Sequence, residues 1–152
     1  MTKQKIFVRR IKADFKNLRH AIDGALAFFD EEFIAMDDAT RLELKVVLNE
    51  LLINAIKHGA RNDAACYVKI VAAMKEKDCA MLIVEDDGEG YDTALVSKPI
   101  VVSPLPSRIE DLSETGRGIF IVKSLCEDFM VNEKGNKVVI NKKLHRALTA
   151  SA

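Results

Sequence analysis

The chain has 152 residues, with 23 basic and 23 acidic side chains and 49% apolar composition. That length suits one domain, residues 1–152, able to bury roughly two-thirds of its unfolded surface, and the cancelling charges argue against a nucleic-acid binder, which needs a basic excess to track phosphates. Cys66, Cys79 and Cys126 are odd in number, widely spaced and without a C-x-x-C pair; they read as free, mostly buried thiols of a reducing compartment, and a disulfide framework or zinc site is not expected.

The amino terminus, MTKQKIFVRRIKADF, lacks the apolar run of a signal peptide. No stretch approaches about 18 apolar residues, so the expected setting is cytoplasmic with no membrane partner. Lys5 to Ile11 reads as a first strand, with Ile6, Val8 and Arg10 alternating against Phe7 and Arg9. Asp14 is a candidate cap for a helix running to about Phe33, with Phe15, Leu18, Ala21, Ile22, Ala25, Leu26 and Phe29 as its apolar positions. Gly24 lies inside that helix and weakens it.

Asp37 and Asp38 announce the longest strongly periodic segment, Arg41 to Gly59. At about 100° per residue, Leu44, Leu48, Leu51, Leu52 and Ala55 form one broad apolar stripe. Glu50, Asn54 and Lys57 stack at i, i+4 and i+7 on roughly the opposite side, flanked by Val46, Val47 and Ile53. A carboxylate one turn from an amide oxygen can serve a metal and a proton transfer at one site. Taken alone, however, this helix reads more simply as amphipathic with a solvated polar face. Gly59 and Arg61-Asn62-Asp63 end it.

Ala65 to Ala73 alternates as a half-buried strand, and Cys79 to Val84 is a short apolar one. The polar Lys75–Asp78 between them makes a hairpin. A second hairpin joins Phe129–Val131 to Lys137–Ile140 across Glu133-Lys134-Gly135-Asn136. The expected fold class is α+β, a two-layer sandwich whose mixed, mostly antiparallel sheet carries helices on one face.

Four of the seven glycines fall in two clusters, VEDDGEGYD (84–92) after a strand and ETGRGIFIVKSL (114–125) before an apolar helix with Ile119, Val122 and Leu125 on its buried side. Glycine permits close backbone approach to a ligand, and N–H groups at a helix start form a natural phosphate site. Singly, each cluster could equally be a strand-ending turn or a plain helix entrance. The familiar phosphate motifs are excluded. There is no G-x-x-x-x-G-K-[ST], and the first cluster has Thr93 where a dinucleotide fingerprint wants its third glycine. No nucleophile elbow is present, and His20, His58 and His145 lack metal-ligand spacing. Between the clusters, Tyr91 to Glu114 holds all three prolines of the chain. A connection of that length is commonly either a functional lid or a plain mobile surface insertion; a lid beside a phosphate site would close over the nucleotide and exclude water.

Taken together, E-x-x-x-N-A-x-K-H at Glu50–His58, D-x-G-x-G at Asp86–Gly90, a long lid, and G-x-G at Gly116–Gly118 resemble the Bergerat-fold (GHKL) ATPases. The small size and the RGIFIVKSLCEDF segment look most like the anti-sigma-factor serine kinases of the RsbW and SpoIIAB type, over roughly residues 5–143. The resemblance implies that Asn54 coordinates Mg²⁺ on the ATP phosphates and that Glu50 is the general base. It implies that Asp86 reads the adenine amino group, with Gly88 and Gly90 letting the backbone approach the base. Gly116, Arg117 and Gly118 would meet the phosphates, Lys57 and Thr115 would line the pocket, and residues of about 91–115 would be the ATP lid. The implied activity is a protein serine/threonine kinase that holds a sigma factor inactive and phosphorylates a STAS-domain anti-anti-sigma protein. A homodimer is expected, both because one sheet face has no helix left to cover it and because the resembled subfamily is dimeric. A nucleotide-dependent binding switch and a stand-alone ATPase regulator are the competing readings.

Overall fold

The computed structural model describes residues 4–59, 65–87 and 117–148. The expected site residues Gly88, Gly90, Thr115 and Gly116, the lid segment and Arg61-Asn62-Asp63 lie outside the described residues.

Strand β1 (Ile6–Lys12) opens the described chain. Asp14 then caps, but not the α-helix expected directly after it. Its carboxylate accepts the Lys16 N–H at 3.0 Å, closing a single 3₁₀ turn, Phe15–Asn17, before α1 (Leu18–Glu32) begins. A cap that reaches only two residues ahead suits this tighter turn, and Asn17 donates its side-chain amide backwards to the Lys12 carbonyl instead of capping α1. Helix α2 (Asp38–Asn54) starts at an extended Asp37 whose carboxylate accepts the Thr40 N–H at 2.7 Å. Its α-geometry stops at Asn54, earlier than the sequence pattern suggests. The Ala55 N–H is shared between the Leu51 and Leu52 carbonyls, and the chain then widens into one π turn, Ala55–Gly59. Such turns recur where a helix must re-aim side chains.

The remaining elements are β2 (Tyr67–Glu76), β3 (Cys79–Asp86), α3 (Arg117–Leu125), β4 (Asp128–Val131) and β5 (Lys137–Lys143). The five strands form one sheet of order β1-β2-β3-β5-β4 with every neighbouring pair antiparallel. The fold is α+β, with three α-helices among the described residues packed on the sheet.

Period-two alternation explains the core. Val68, Ile70 and Ala72 of β2, Leu82 of β3 and Ile140 of β5 point into the layer between sheet and helices and are fully buried. They meet Leu44, Val47, Leu48, Leu51 and Leu52 of α2 and Ala25, Leu26 and Phe29 of α1. Each large aliphatic or aromatic side chain sequestered in this way contributes about 1.5–3 kcal/mol. Gly24 has a packing reason. A Cβ there would lie 2.5 Å from Arg9 Nη1, so only glycine lets the Arg9 side chain cross α1 and donate to the His20 carbonyl at 3.1 Å.

The other sheet face differs. Register aligns Val8, Val71, Ile83, Val139 and Met130 in one apolar row across all five strands. Val8 and Met130, at its two edges, are 57% and 52% exposed, as is Ile6 beside it at 58%.

Candidate active site

The polar stack on α2 is not solvated, contrary to the simplest reading of that helix alone. Glu50 is 6% exposed and Asn54 7%, two of the few buried polar residues among those described. For Glu50 the reason is α3, which packs against α2. At its start, Gly118 opens the space that the Glu50 carboxylate fills. A Cβ on Gly118 would sit 2.1 Å from Glu50 Oε2 and 3.0 Å from Cδ. The structure thus brings the carboxylate of the first motif onto the second glycine of the G-x-G motif. These two lie 68 residues apart in the chain.

The two helices are matched along their length. Glu43 and Glu50 are seven residues apart on α2, and Gly118 and Leu125 are seven apart on α3, about 10.5 Å in each case. At the far end, Lys142 of β5 is 3% exposed and donates from Nζ to Glu43 Oε2 at 2.7 Å and to the Leu125 carbonyl at 2.8 Å. This ammonium caps the carboxyl end of α3, where a cation opposes the negative end of the helix dipole. So α3 runs antiparallel to α2, held at one end by Lys142 and fitted around Glu50 at the other. Cys126, just past this cap, donates its N–H to the Val122 carbonyl at 3.1 Å. Burial pushes its thiol pKa up to about 12, against the downward pull of Lys142.

One turn beyond Glu50 along α2, the Asn54 side-chain nitrogen is buried without a hydrogen-bond partner among the described residues. An orphaned buried donor costs about 1–3 kcal/mol, an expense commonly found where an amide is reserved for a bound group. Lys57 follows on the π turn, half-buried and engaged with neighbours. That turn packs against β3, whose last residue is Asp86, 3% exposed. Arg117 is the first residue of α3 and half-buried. Of the expected site residues, Glu50, Asn54, Lys57, Asp86, Arg117 and Gly118 are therefore described, and Glu50 and Gly118 stand in direct contact.

Two features escaped the sequence reading. Lys142 sits in the run Asn141-Lys142-Lys143, which resembles an exposed strand end, and only the inward phase of β5 shows that it is buried. The Asn132–Asn136 turn reads as an ordinary hairpin connection, although paired asparagines around a glycine are a known sign of side-chain-built turns.

Comparison with known proteins agrees with this geometry. The family model "Histidine kinase-like ATPase domain" matches residues 11–142. The anti-sigma F factor of Shouchella clausii (strain KSM-K16) is 31% identical over 118 residues, covering 74% of this chain and 77% of that protein. The anti-sigma F factor of Clostridium novyi (strain NT) is 30% identical over 118 residues, covering 74% and 79%. The serine-protein kinase RsbW of Oceanobacillus iheyensis is 24% identical over 101 residues, covering 66% and 63%. Among solved structures, the mycobacterial sensor histidine kinase MprB superposes with a TM-score of 0.48 and 14% identity, over 91% of this chain and 100% of that one; the assignment rests on the sequence matches. The chain belongs to the histidine kinase-like ATPase domain family, in the branch of the anti-sigma-factor kinases.

Proposed function

We propose that this protein is an ATP-dependent serine/threonine kinase that binds a sigma factor and phosphorylates a serine of a STAS-domain anti-anti-sigma protein. The observation that carries the reading is the contact between the buried Glu50 carboxylate and Gly118. A candidate base and the helix entrance expected to meet the phosphates converge there, which is what phosphoryl transfer needs from a protein. The names of the relatives, anti-sigma F factor and serine-protein kinase, support the same reading.

The residues present suit Mg-ATP. The described residues contain no cluster of three or more His, Cys, Asp or Glu side chains that could cage a metal, and Mg²⁺ in such enzymes is held mainly by substrate phosphates, waters and one or two protein ligands. Asn54 is the residue we assign to it, through its amide oxygen; its buried nitrogen, a donor without a partner among the described residues, suits a phosphate or water oxygen beside the metal. Bound Mg-ATP supplies the γ-phosphoryl group with its charge partly neutralised. The protein's own part is to position and to move one proton. Glu50 accepts the proton of the incoming serine hydroxyl. Arg117 and the N–H groups at the start of α3 hold the phosphates by charge and by the helix dipole, and Asp86 accepts a hydrogen bond from the adenine amine. Lys57, Thr115 and Gly116 line the phosphate end, Gly88 and Gly90 the base, and residues 91–115 act as the lid of a single domain.

We further propose that the chain works in the cytoplasm as a homodimer, with the apolar row of the open sheet face as part of the contact. Light scattering at micromolar concentration tests the dimer; a monomer mass contradicts it. None of the described helices is long and apolar enough to cross a membrane.

The decisive experiment follows phosphate from labelled ATP to a STAS-domain protein, with sigma-factor binding measured separately. Glu50→Gln keeps the shape and removes the base. It should leave ATP binding nearly intact and slow transfer by roughly a hundred- to ten-thousand-fold. Asn54→Ala should reduce Mg²⁺-dependent nucleotide affinity and transfer together. Wild-type transfer by Glu50→Gln would overturn the mechanism. Nucleotide-dependent partner binding without any transfer by the native protein would establish a binding switch in its place.

A further inference from the structure

We propose that the β4–β5 turn is a working part of the nucleotide site: Asn136, itself locked by Asn132, positions the Asp86 carboxylate and so sets the preference for adenine. The inference rests on the reading of Asp86 as the group that recognises the base.

Asp86 lies at the very end of β3, where a strand ordinarily frays. The register between β3 and β5 ends one residue earlier, at Glu85 opposite Lys137. Beyond that point both main-chain groups of Asp86 are taken by one residue. The Asp86 N–H donates to the Asn136 carbonyl at 2.9 Å, and the Asn136 side-chain amide donates back to the Asp86 carbonyl at 2.9 Å. The second bond exists only because residue 136 carries a donor of this length.

Asn136 is in turn fixed. Asn132 Nδ2 donates to Asn136 Oδ1 at 2.8 Å. Asn132 Oδ1 accepts three N–H groups, from Gly135 at 2.9 Å, Asn136 at 3.1 Å and Lys137 at 3.1 Å. Gly135 has φ of 80°, the left-handed conformation that closes this turn. A side-chain oxygen at the hub of three donors makes the turn stiff without reference to the sheet.

The opposite flank of Asp86 is secured separately. Asp87 accepts the Tyr67 N–H on Oδ1 at 2.8 Å, and its other oxygen lies 3.9 Å from Arg10. Asp86 is thus held from β5 by Asn136 and, through its neighbour, from β2. With its main chain held on both flanks and the residue 3% exposed, the carboxylate has little freedom to turn. Recognition of a single exocyclic amine by a single carboxylate depends on its direction, because a hydrogen bond weakens steeply with angle. Asn136 contacts no base in this scheme; it is a positioning residue.

The test compares ATP with inosine triphosphate, which carries a carbonyl oxygen where ATP carries the amine. Both affinities are measured by calorimetry for the native protein, Asn136→Ala and Asn136→Asp, with thermal melting alongside. Asn136→Asp keeps the size and removes the donor, so it decides the matter should Asn136→Ala fail to fold. The native protein should prefer ATP. In the variants ATP affinity should fall about three- to tenfold, the equivalent of one hydrogen bond's net contribution, while inosine triphosphate affinity stays within about twofold, so that the ratio collapses. A native-like ATP preference in a folded variant overturns the proposal, whether both affinities hold or both fall together. Equal affinities in the native protein refute the role of Asp86 itself, a distinguishable failure that removes the proposal with it.

Discussion

Gly118→Ala is the sharpest test of the contact at the centre of the site. The new Cβ would lie 2.1 Å from Glu50 Oε2 and 3.0 Å from Cδ. A carbon and an oxygen do not approach much closer than about 3.0–3.3 Å, so the carboxylate must retreat by about 1 Å or swing to another rotamer. The far end of a glutamate can do so at modest cost, and alanine is favoured over glycine within a helix by up to about 1 kcal/mol. The two effects oppose each other, and the melting temperature should stay within a few degrees of the native value. Catalysis has no such compensation. A displacement of about 1 Å at the reacting group costs on the order of a hundredfold. Transfer of labelled phosphate to a STAS-domain substrate should therefore fall by about two orders of magnitude in a protein that melts normally and still binds ATP. A Gly118→Ala protein that transfers at the native rate would refute the idea that Glu50 works from the place where the structure puts it.

Three further outcomes are expected. Glu43→Ala strands the buried Lys142 ammonium and should cost about 2–4 kcal/mol in urea unfolding, whereas Lys142→Met leaves a half-exposed carboxylate free to hydrate and should cost only about 1–2 kcal/mol; the reverse order would show that the pair does not anchor α3. Cys126 should resist iodoacetamide at pH 8 in the folded protein, about a thousandfold slower than in urea, because its pKa of about 12 against an ordinary 9.0 leaves almost no thiolate; rapid native labelling, mapped by mass spectrometry, counts against this burial. Asp37 is held below its ordinary value of 3.8, chiefly by Thr40 hydrogen bonds and with help from His145. The unfolded chain then binds that proton more readily, so the contribution of the α2 cap is complete above about pH 4 and fades as pH falls through the lowered value. Asp37→Asn should flatten that part of the acid limb of stability against pH, and an unchanged limb would deny the cap its role.

Much of this was legible in the sequence, for identifiable reasons. Strand positions such as Val68, Ile70 and Ala72 alternate cleanly because one sheet face is buried and the other is not. The apolar stripe of α2, Leu44 to Ala55, is buried as its periodicity demands. What one helix viewed alone could not show was the fate of its polar side. Glu50 looks like surface until α3, distant in the chain, arrives to cover it. The helix boundaries were hidden for a local reason. A 3₁₀ turn at Phe15–Asn17 and a π turn at Ala55–Gly59 follow from shared or shortened hydrogen bonds, which leave no mark on hydrophobic spacing. Buried Lys142 and the Asn132–Asn136 hub were missed because charge and turn composition suggest solvent, and only register reveals the partner.

Strand β5 connects the two ends of the site in a way that bears on how this chain can change. Asn136, at its entrance, grips the end of β3; Lys142, six positions later, grips the end of α3. The segment between them behaves as a ruler. Deleting or inserting one residue within it puts the two ends out of phase, so that a strand keeping Asn136 in reach of Asp86 turns Lys142 to the wrong face, and one keeping Lys142 buried loses Asn136. Length drift in this lineage should accordingly collect in the Lys77–Asp78 turn, which no such double constraint governs, and be absent from Asn136 to Lys142.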